Sequence, residues 1–214
     1  MLELVDKINF DELYDLLLDA SRKAFREVQE AHPDETFYAF SLYYDFWNFI
    51  IPSCNSEETH MRLGNLTTAE RDNQTLEWFY SRCRFYDWEY CFLGDEYFTS
   101  VSEWMKHNFY QLTGLETGAT VEDMAVWTIV DNSIATICLK TFKVLDEEKL
   151  FGQGQARERV VLNVLNHKTV HEDDMSYVYL LNSISAYQRW WFEYEMQQHA
   201  LSVLSPERFE RNPD

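Results

Sequence analysis

TFYAFSLYY, residues 36–44, decides the fold. Its side chains are aromatic or apolar with no polar face at the helical period, so the stretch reads as a strand. Asp45 then makes a turn, and Phe46 to Ile51 reads as a second strand closed by Pro52. A connection this short predicts an antiparallel hairpin.

Upstream, Asn9 to Ala31 predicts an amphipathic helix. Leu13, Leu17, Ala20, Ala24 and Val28 recur at helical spacing. Asn9 is placed to cap it, with Glu12 three residues on in capping-box position. His32-Pro33 ends it, because a residue before proline avoids the helical region. Downstream, Ser53 to Asn73 is polar and reads as a loop with room for one short helix. Leu76 to Phe92 fits a strand pair or a helix equally well. Asp95 to Leu112 predicts a helix with Phe98, Val101, Trp104 or Met105, Phe109 and Leu112 along one side. Val121 to Lys149 predicts another, capped by Thr120, with Met124, Trp127, Ile134, Cys138 and Leu145 as its apolar stripe. Phe151-Gly152-Gln153-Gly154 breaks that helix. Arg159 to Asn166 reads as a strand, and Asp173 to Leu204 as mostly helical, with aromatic residues at Trp190, Trp191, Phe192 and Tyr194. Neither repeats nor a Pro/Gly/Ser linker divide the chain. These elements imply one α+β domain over residues 1–214, with helices flanking a mainly antiparallel sheet.

Several of these segments resemble a bacterial family, the domain-of-unknown-function family 4303. HPDETFYAFSLY (His32 to Tyr43) is similar to that family's opening motif, and PSCNSEE (Pro52 to Glu58) to its Asn-Thr-Glu-Glu stretch. RCRFYDWEY (Arg82 to Tyr90) resembles a third motif, with Cys83 standing where the family has Trp and Asp87 where it has Glu. FGQGQARERVVLNV (Phe151 to Val164) resembles a fourth, and Asn182 matches a later family Asn. The resemblance covers about residues 9–185 and leaves 186–214 as a helical, aromatic-rich extension. It implies a bacterial cytoplasmic protein of compact α/β build. Related small acidic families serve as immunity proteins against delivered toxins, so it also implies a function of that kind.

The composition bears on partners. Eighteen Lys and Arg face 37 Asp and Glu, a net charge of −19. Such a field repels nucleic-acid phosphates and anionic lipid, and attracts cationic proteins. The acids are spread through every segment, so the charge belongs to the folded surface. Met1 to Lys7 lacks the pattern of a signal peptide, and no apolar run approaches the ~20 residues of a membrane span. Cys54, Cys83, Cys91 and Cys138 lack metal-type spacing and read as reduced thiols.

Motifs for catalysis are missing. His167 and His171 are four apart and precede Glu172, Asp173 and Asp174, but the segment reads as a solvated acidic turn and not as a zinc site. Gly152-Gln153-Gly154 with Arg157 and Arg159 lacks the Lys-Ser/Thr of a phosphate loop and follows a helix. Cys54 and His60 are near in sequence without a third orienting group. The residues therefore predict no catalytic group, metal or cofactor. The best candidates for partner binding are the acid and aromatic mixture Asp87, Trp88 and Glu89, with Glu57, Glu58, Glu172, Asp173 and Asp174 as further carboxylates. The function expected is an immunity-type protein that occludes a basic toxin domain. An enzyme assembled from distant residues and an acidic mimic of nucleic acid are the competing expectations.

Overall fold

The computed structural model describes residues 5, 7–45, 49–109, 121–166 and 171–205, with side chains at all of these except 86, 121–123 and 171–174. Its strands are β1 (Phe37–Asp45), β2 (Phe49–Ser56), β3 (Tyr90–Cys91) and β4 (Val161–Asn166). Its longer helices are α1 (Phe10–Ala31), α5 (Asp95–Phe109), α6 (Val121–Glu147), α8 (His171–Leu181) and α9 (Ile184–Leu204). Short helices α2 (Glu57–Leu63), α3 (Thr68–Asn73) and α4 (Leu76–Phe79) follow β2, a 3₁₀ turn spans Phe85–Asp87, and α7 (Gln155–Arg159) precedes β4.

The strands form one sheet in the order β3-β2-β1-β4. The hairpin is antiparallel, with Tyr43 opposite Ile51. β4, however, runs parallel to β1, pairing Phe40 with Leu162. The α+β class stands, but the sheet is mixed and not mainly antiparallel. β4 joins β1 only after the long excursion through α5 and α6, which returns the chain to the same end of the sheet before it pairs.

Both faces of the sheet are covered, which is why β1 reads as an unbroken apolar run. Phe40, Leu42, Tyr44, Ile50, Leu162 and Val164 join the inner sides of α1, α5 and α6 in one core. Tyr43, Ile51 and Val161 join Met175 and Val178 of α8 and Trp190 of α9 in the other. A bulge interrupts β1, since Phe37 pairs with Ser56 and Ala39 with Asn55. Tyr38 is the extra residue, and the bulge turns it toward the α9 side.

Every apolar position predicted for α1 is buried. The capping box is not formed: Asn9 makes no side-chain cap bond, and the Glu12 amide is taken by the Asn9 backbone oxygen at 3.1 Å. Pro52 does not close β2 but pairs with Leu42 inside it. Its carbonyl accepts from Leu93 N on the β3 side, so its missing N–H falls where β3 pairs only Ser53 and Cys54. The polar tract after it holds two short helices, opened by capping boxes at Ser56/Thr59 and Thr67/Glu70. Between Leu76 and Phe92 the chain is neither one helix nor a strand pair; α4, the 3₁₀ turn and β3 share it. On α6 the buried stripe runs Val126, Val130, Ile134, Cys138, Phe142 and Leu145, while Met124 is 61% exposed. Two residues separate about 200° of helical rotation, so a stripe phased on Val126 turns Met124 outward. Arg159, expected to open β4, ends α7 instead. Leu112, Thr120 and His167 lie outside the described residues, as do Phe46–Asn48 of the predicted second strand.

Candidate functional site

Among the carboxylates singled out from the sequence, Glu57, Glu58, Asp87 and Glu89 are each engaged by a partner within the fold. Glu58 accepts from Thr36 N at 2.7 Å and Thr36 Oγ1 at 3.2 Å, tying α2 back to the start of β1. Asp87 sits 3.3 Å from Arg84, and Glu89 2.5 Å from Arg62. Trp88 is not a surface anchor: it is 4% exposed and its Nε1–H donates to Arg82 O at 3.1 Å. Glu172, Asp173 and Asp174 fall in the first turn of α8, with side chains outside the described set.

Glu57 points inward to a cation the sequence reading missed. Arg82 is 5% exposed. Its Nη1 and Nη2 donate to Glu57 Oε2 and Oε1 at 2.8 and 2.7 Å, a bidentate pair. Its Nε lies 3.2 Å from Glu193 Oε2 of α9, an ion pair without hydrogen-bond angles. The guanidinium rests over Tyr38 at 3.9 Å from the ring centre and over Trp78 at 4.7 Å. Burial works against its charge, but Glu193, the Tyr38 oxygen and Glu57 more than reverse that, and its pKa is raised. Tyr38 OH donates to Arg82 O at 2.9 Å and accepts from Asn55 Nδ2 at 2.9 Å. Burial raises its pKa well above the usual phenol range, so it stays protonated.

His60 of α2 closes the cluster. Its Nε2 is 2.8 Å from Trp78 O, which only accepts, so Nε2 carries the hydrogen. Burial, then the charge of Arg82, lowers its pKa from 6.5 to about 4. Gln197 of α9 accepts the Cys83 amide at 2.6 Å. Here β1, β2, α2, α4 and α9 are clasped around one cation. Glu57 and Glu193 neutralise that cation, so its chemistry is cohesion. One sequence signal existed: Trp190, Glu193, Gln197 and Ala200 mark the buried stripe of α9, and a carboxylate inside such a stripe needs an internal partner.

Two further polar clusters lie at the ends of β4. Asp131 Oδ1 accepts from Tyr44 OH at 3.0 Å and from Asn166 Nδ2 at 2.7 Å, where the parallel strands β1 and β4 finish. Burial and then the Asp131 charge raise the Tyr44 pKa far above the phenol range, making it a fixed donor. At the other end, Arg157 Nε donates to Asp146 Oδ1 at 2.6 Å and Nη2 to Leu181 O at 3.0 Å. The arginine beside Gly152 and Gly154 is thus used structurally. Asn182 accepts from Leu162 N at 3.0 Å and donates to Leu162 O at 2.8 Å, pairing with the free edge of β4 as a strand would.

Among the described residues, no group of three or more His, Cys, Asp or Glu can hold a metal ion. The four thiols are unpaired, and burial raises the pKa of Cys54 and Cys83. No described helix is long and apolar enough to cross a membrane.

Three features mark the surface of the described residues. The outer side of α1 exposes Asp11, Glu12, Asp15, Asp19, Glu27 and Glu30. Beside it, a groove of about 390 Å³ runs between α1 and α6, lined by Phe10, Asp11 and Tyr14 on one wall and by Ile129, Asn132, Ser133, Thr136, Ile137 and Lys140 on the other. Exposed apolar side chains also gather on α8 and α9, at Tyr179, Leu180, Ile184, Trp191 and Phe192.

Compared with known proteins, residues 17–183 match the model of a family described as Domain of unknown function (DUF4303). No curated protein matches, and no solved structure does. The matched span contains Tyr38, Glu57, Arg82 and Asn182, whereas Glu193 lies beyond it.

Proposed function

The chain belongs to the DUF4303 family, and we propose that it is a cytoplasmic binding protein that neutralises a basic toxin domain by covering it. One observation carries this reading: the charge turned inward cancels, so the acidic surplus is displayed outward. Among the described residues the buried Lys, Arg, Asp and Glu side chains are Arg82 and Glu193, which are of opposite sign. The net charge of −19 is therefore a property of the surface, and α1 exposes six carboxylates along its length. Such a field speeds encounter with a cationic partner by roughly 10–10³-fold at low salt. Exposed aromatic side chains such as Trp191 offer contacts that slow release once the partner has docked.

The test uses a toxin domain encoded beside this chain as the probe. Co-expression should restore growth to cells producing the toxin. Stopped-flow association should slow steeply as salt rises from about 20 to 500 mM, a range over which the screening length falls severalfold. Failure to protect, or association indifferent to salt, would remove the reading.

A further inference from the structure

We propose that the groove between α1 and α6 is a receptor for an arginine side chain of the basic partner. This rests on the binding reading above and names the site at which it acts. The lining has three properties that together select a guanidinium. Its polar wall mostly accepts: Ser133 Oγ donates to Ile129 O at 2.7 Å and Thr136 Oγ1 to Asn132 O at 2.6 Å. Both hydroxyls have placed their hydrogen on their own helix, so lone pairs are what they turn to the groove. Asp11 adds a carboxylate to the lining. Its apolar wall is aromatic on one side, Phe10 and Tyr14, and aliphatic on the other, Ile129 and Ile137. Arginine presents five donors on a planar group that stacks on aromatic faces, above an aliphatic stem; lysine presents a point charge without the plane.

Lys140 is the one cation in the lining, and its position sets the orientation. The two helices run in the same sense, since Phe10 and Tyr14 face Ile129 to Lys140 while Phe25 stacks on Phe142 and Arg22 reaches Glu148. Asp11 therefore lies toward the Ile129–Ser133 end. Lys140 stands two turns beyond Asn132, about 12 Å along the helix. A guanidinium bound against Asp11, Asn132 and Ser133 takes the end of the groove away from the Lys140 backbone position. Asp15 and Asp19 continue the exposed acidic face of α1 beyond Asp11, so the partner segment that delivers the arginine meets a complementary charge.

Acetyl-arginine amide, acetyl-lysine amide and acetyl-norleucine amide, titrated into ¹⁵N-labelled full-length protein, test the assignment. Arginine amide should shift the amides of Tyr14, Asn132, Ser133 and Thr136 saturably, and more tightly than lysine amide. Asp11→Asn should weaken it about tenfold, the size of one hydrogen bond to a charged group. Asp72→Asn, an exposed acid on α3, should leave it unchanged. Thr136→Trp, which fills the groove from an exposed position, should abolish it without moving the melting temperature. Equal binding of norleucine amide, shifts scattered over all acidic surfaces, or insensitivity to Asp11→Asn would overturn the proposal. So would undiminished protection against the toxin with the groove filled, which would leave the basic-partner reading standing. Saturable arginine binding in a chain that protects against no toxin would uphold the groove and remove that reading.

Discussion

Acidification to pH 5 should destabilise this protein through one buried imidazole. In the fold, burial and the Arg82 charge hold His60 neutral down to about pH 4, against an ordinary value of 6.5. A histidine with a lowered folded pKa contributes stability that is complete above 6.5 and lost as pH falls from 6.5 toward 4, because the unfolded chain binds the proton first. Worked between pH 7 and pH 5, those two values give a loss of about 2 kcal/mol, rising to about 3 kcal/mol below pH 4. Arg82 and Glu57 are the charged groups acting on the ring, of which Arg82 is the stronger, and Trp78 O accepts its Nε2 hydrogen. The perturbation is His60→Gln, whose amide can still donate to Trp78 O but cannot titrate. Urea denaturation of both proteins at pH 7, 6 and 5 reads the effect as a difference of slopes, in which titrations common to the two cancel. The native chain should lose about 2 kcal/mol more than the variant over that interval. Parallel curves, or an NMR titration placing His60 near 6.5, would falsify the reasoning.

Two other substitutions probe the clasp and the sheet edge. Arg82→Met leaves the buried Glu193 without the guanidinium it shares with the partly exposed Glu57, and should cost about 3–5 kcal/mol in chemical denaturation. The double change Arg82→Met with Glu193→Gln should recover part of that loss, and a double variant no better than the single one would show that the charge balance is not what holds α9. Asn182→Ala removes both bonds to the Leu162 backbone and should cost about 1–3 kcal/mol. Hydrogen exchange at the Leu162 amide should speed up selectively, and unchanged exchange there would rule out the edge-covering role.

What could be read in advance depended on how local its cause was. The α1 stripe from Leu13 to Val28 and the apolar run of β1 are set by periodicity within single segments, and both stand in the structure. The direction of β4 is not written in Val161–Asn166, because the same six residues pair either way; the route through α5 and α6 chooses. Pro52 looked like a terminator because proline lacks a donor, yet only the side of the strand it faces decides whether that donor is missed. The same limit hid the buried cation. Arg82 draws its partners from residues 38, 57 and 193, which no window of sequence brings together. Within the notable stretch Asp87-Trp88-Glu89, mixed composition suggested display, while the fold sent Trp88 inward and paired the acids with nearby arginines.

The clasp also bears on how the C-terminal helix relates to the family core. Residues 17–183 match the family, and within them Arg82 already has its bidentate carboxylate in Glu57. α9 lies beyond that span, yet it supplies a second carboxylate, Glu193, and the acceptor Gln197 for the Cys83 amide. Glu57 is partly exposed, so the buried charges are Arg82 and Glu193, which offset each other only while α9 is docked. Docking in this register sets Glu193 against the buried Arg82, and sliding α9 by a turn would separate the two and leave Glu193 only Arg189 of its own helix. The buried pair therefore fixes where α9 sits more than how tightly, and with it the placement of Trp191 and Phe192 on the outer face.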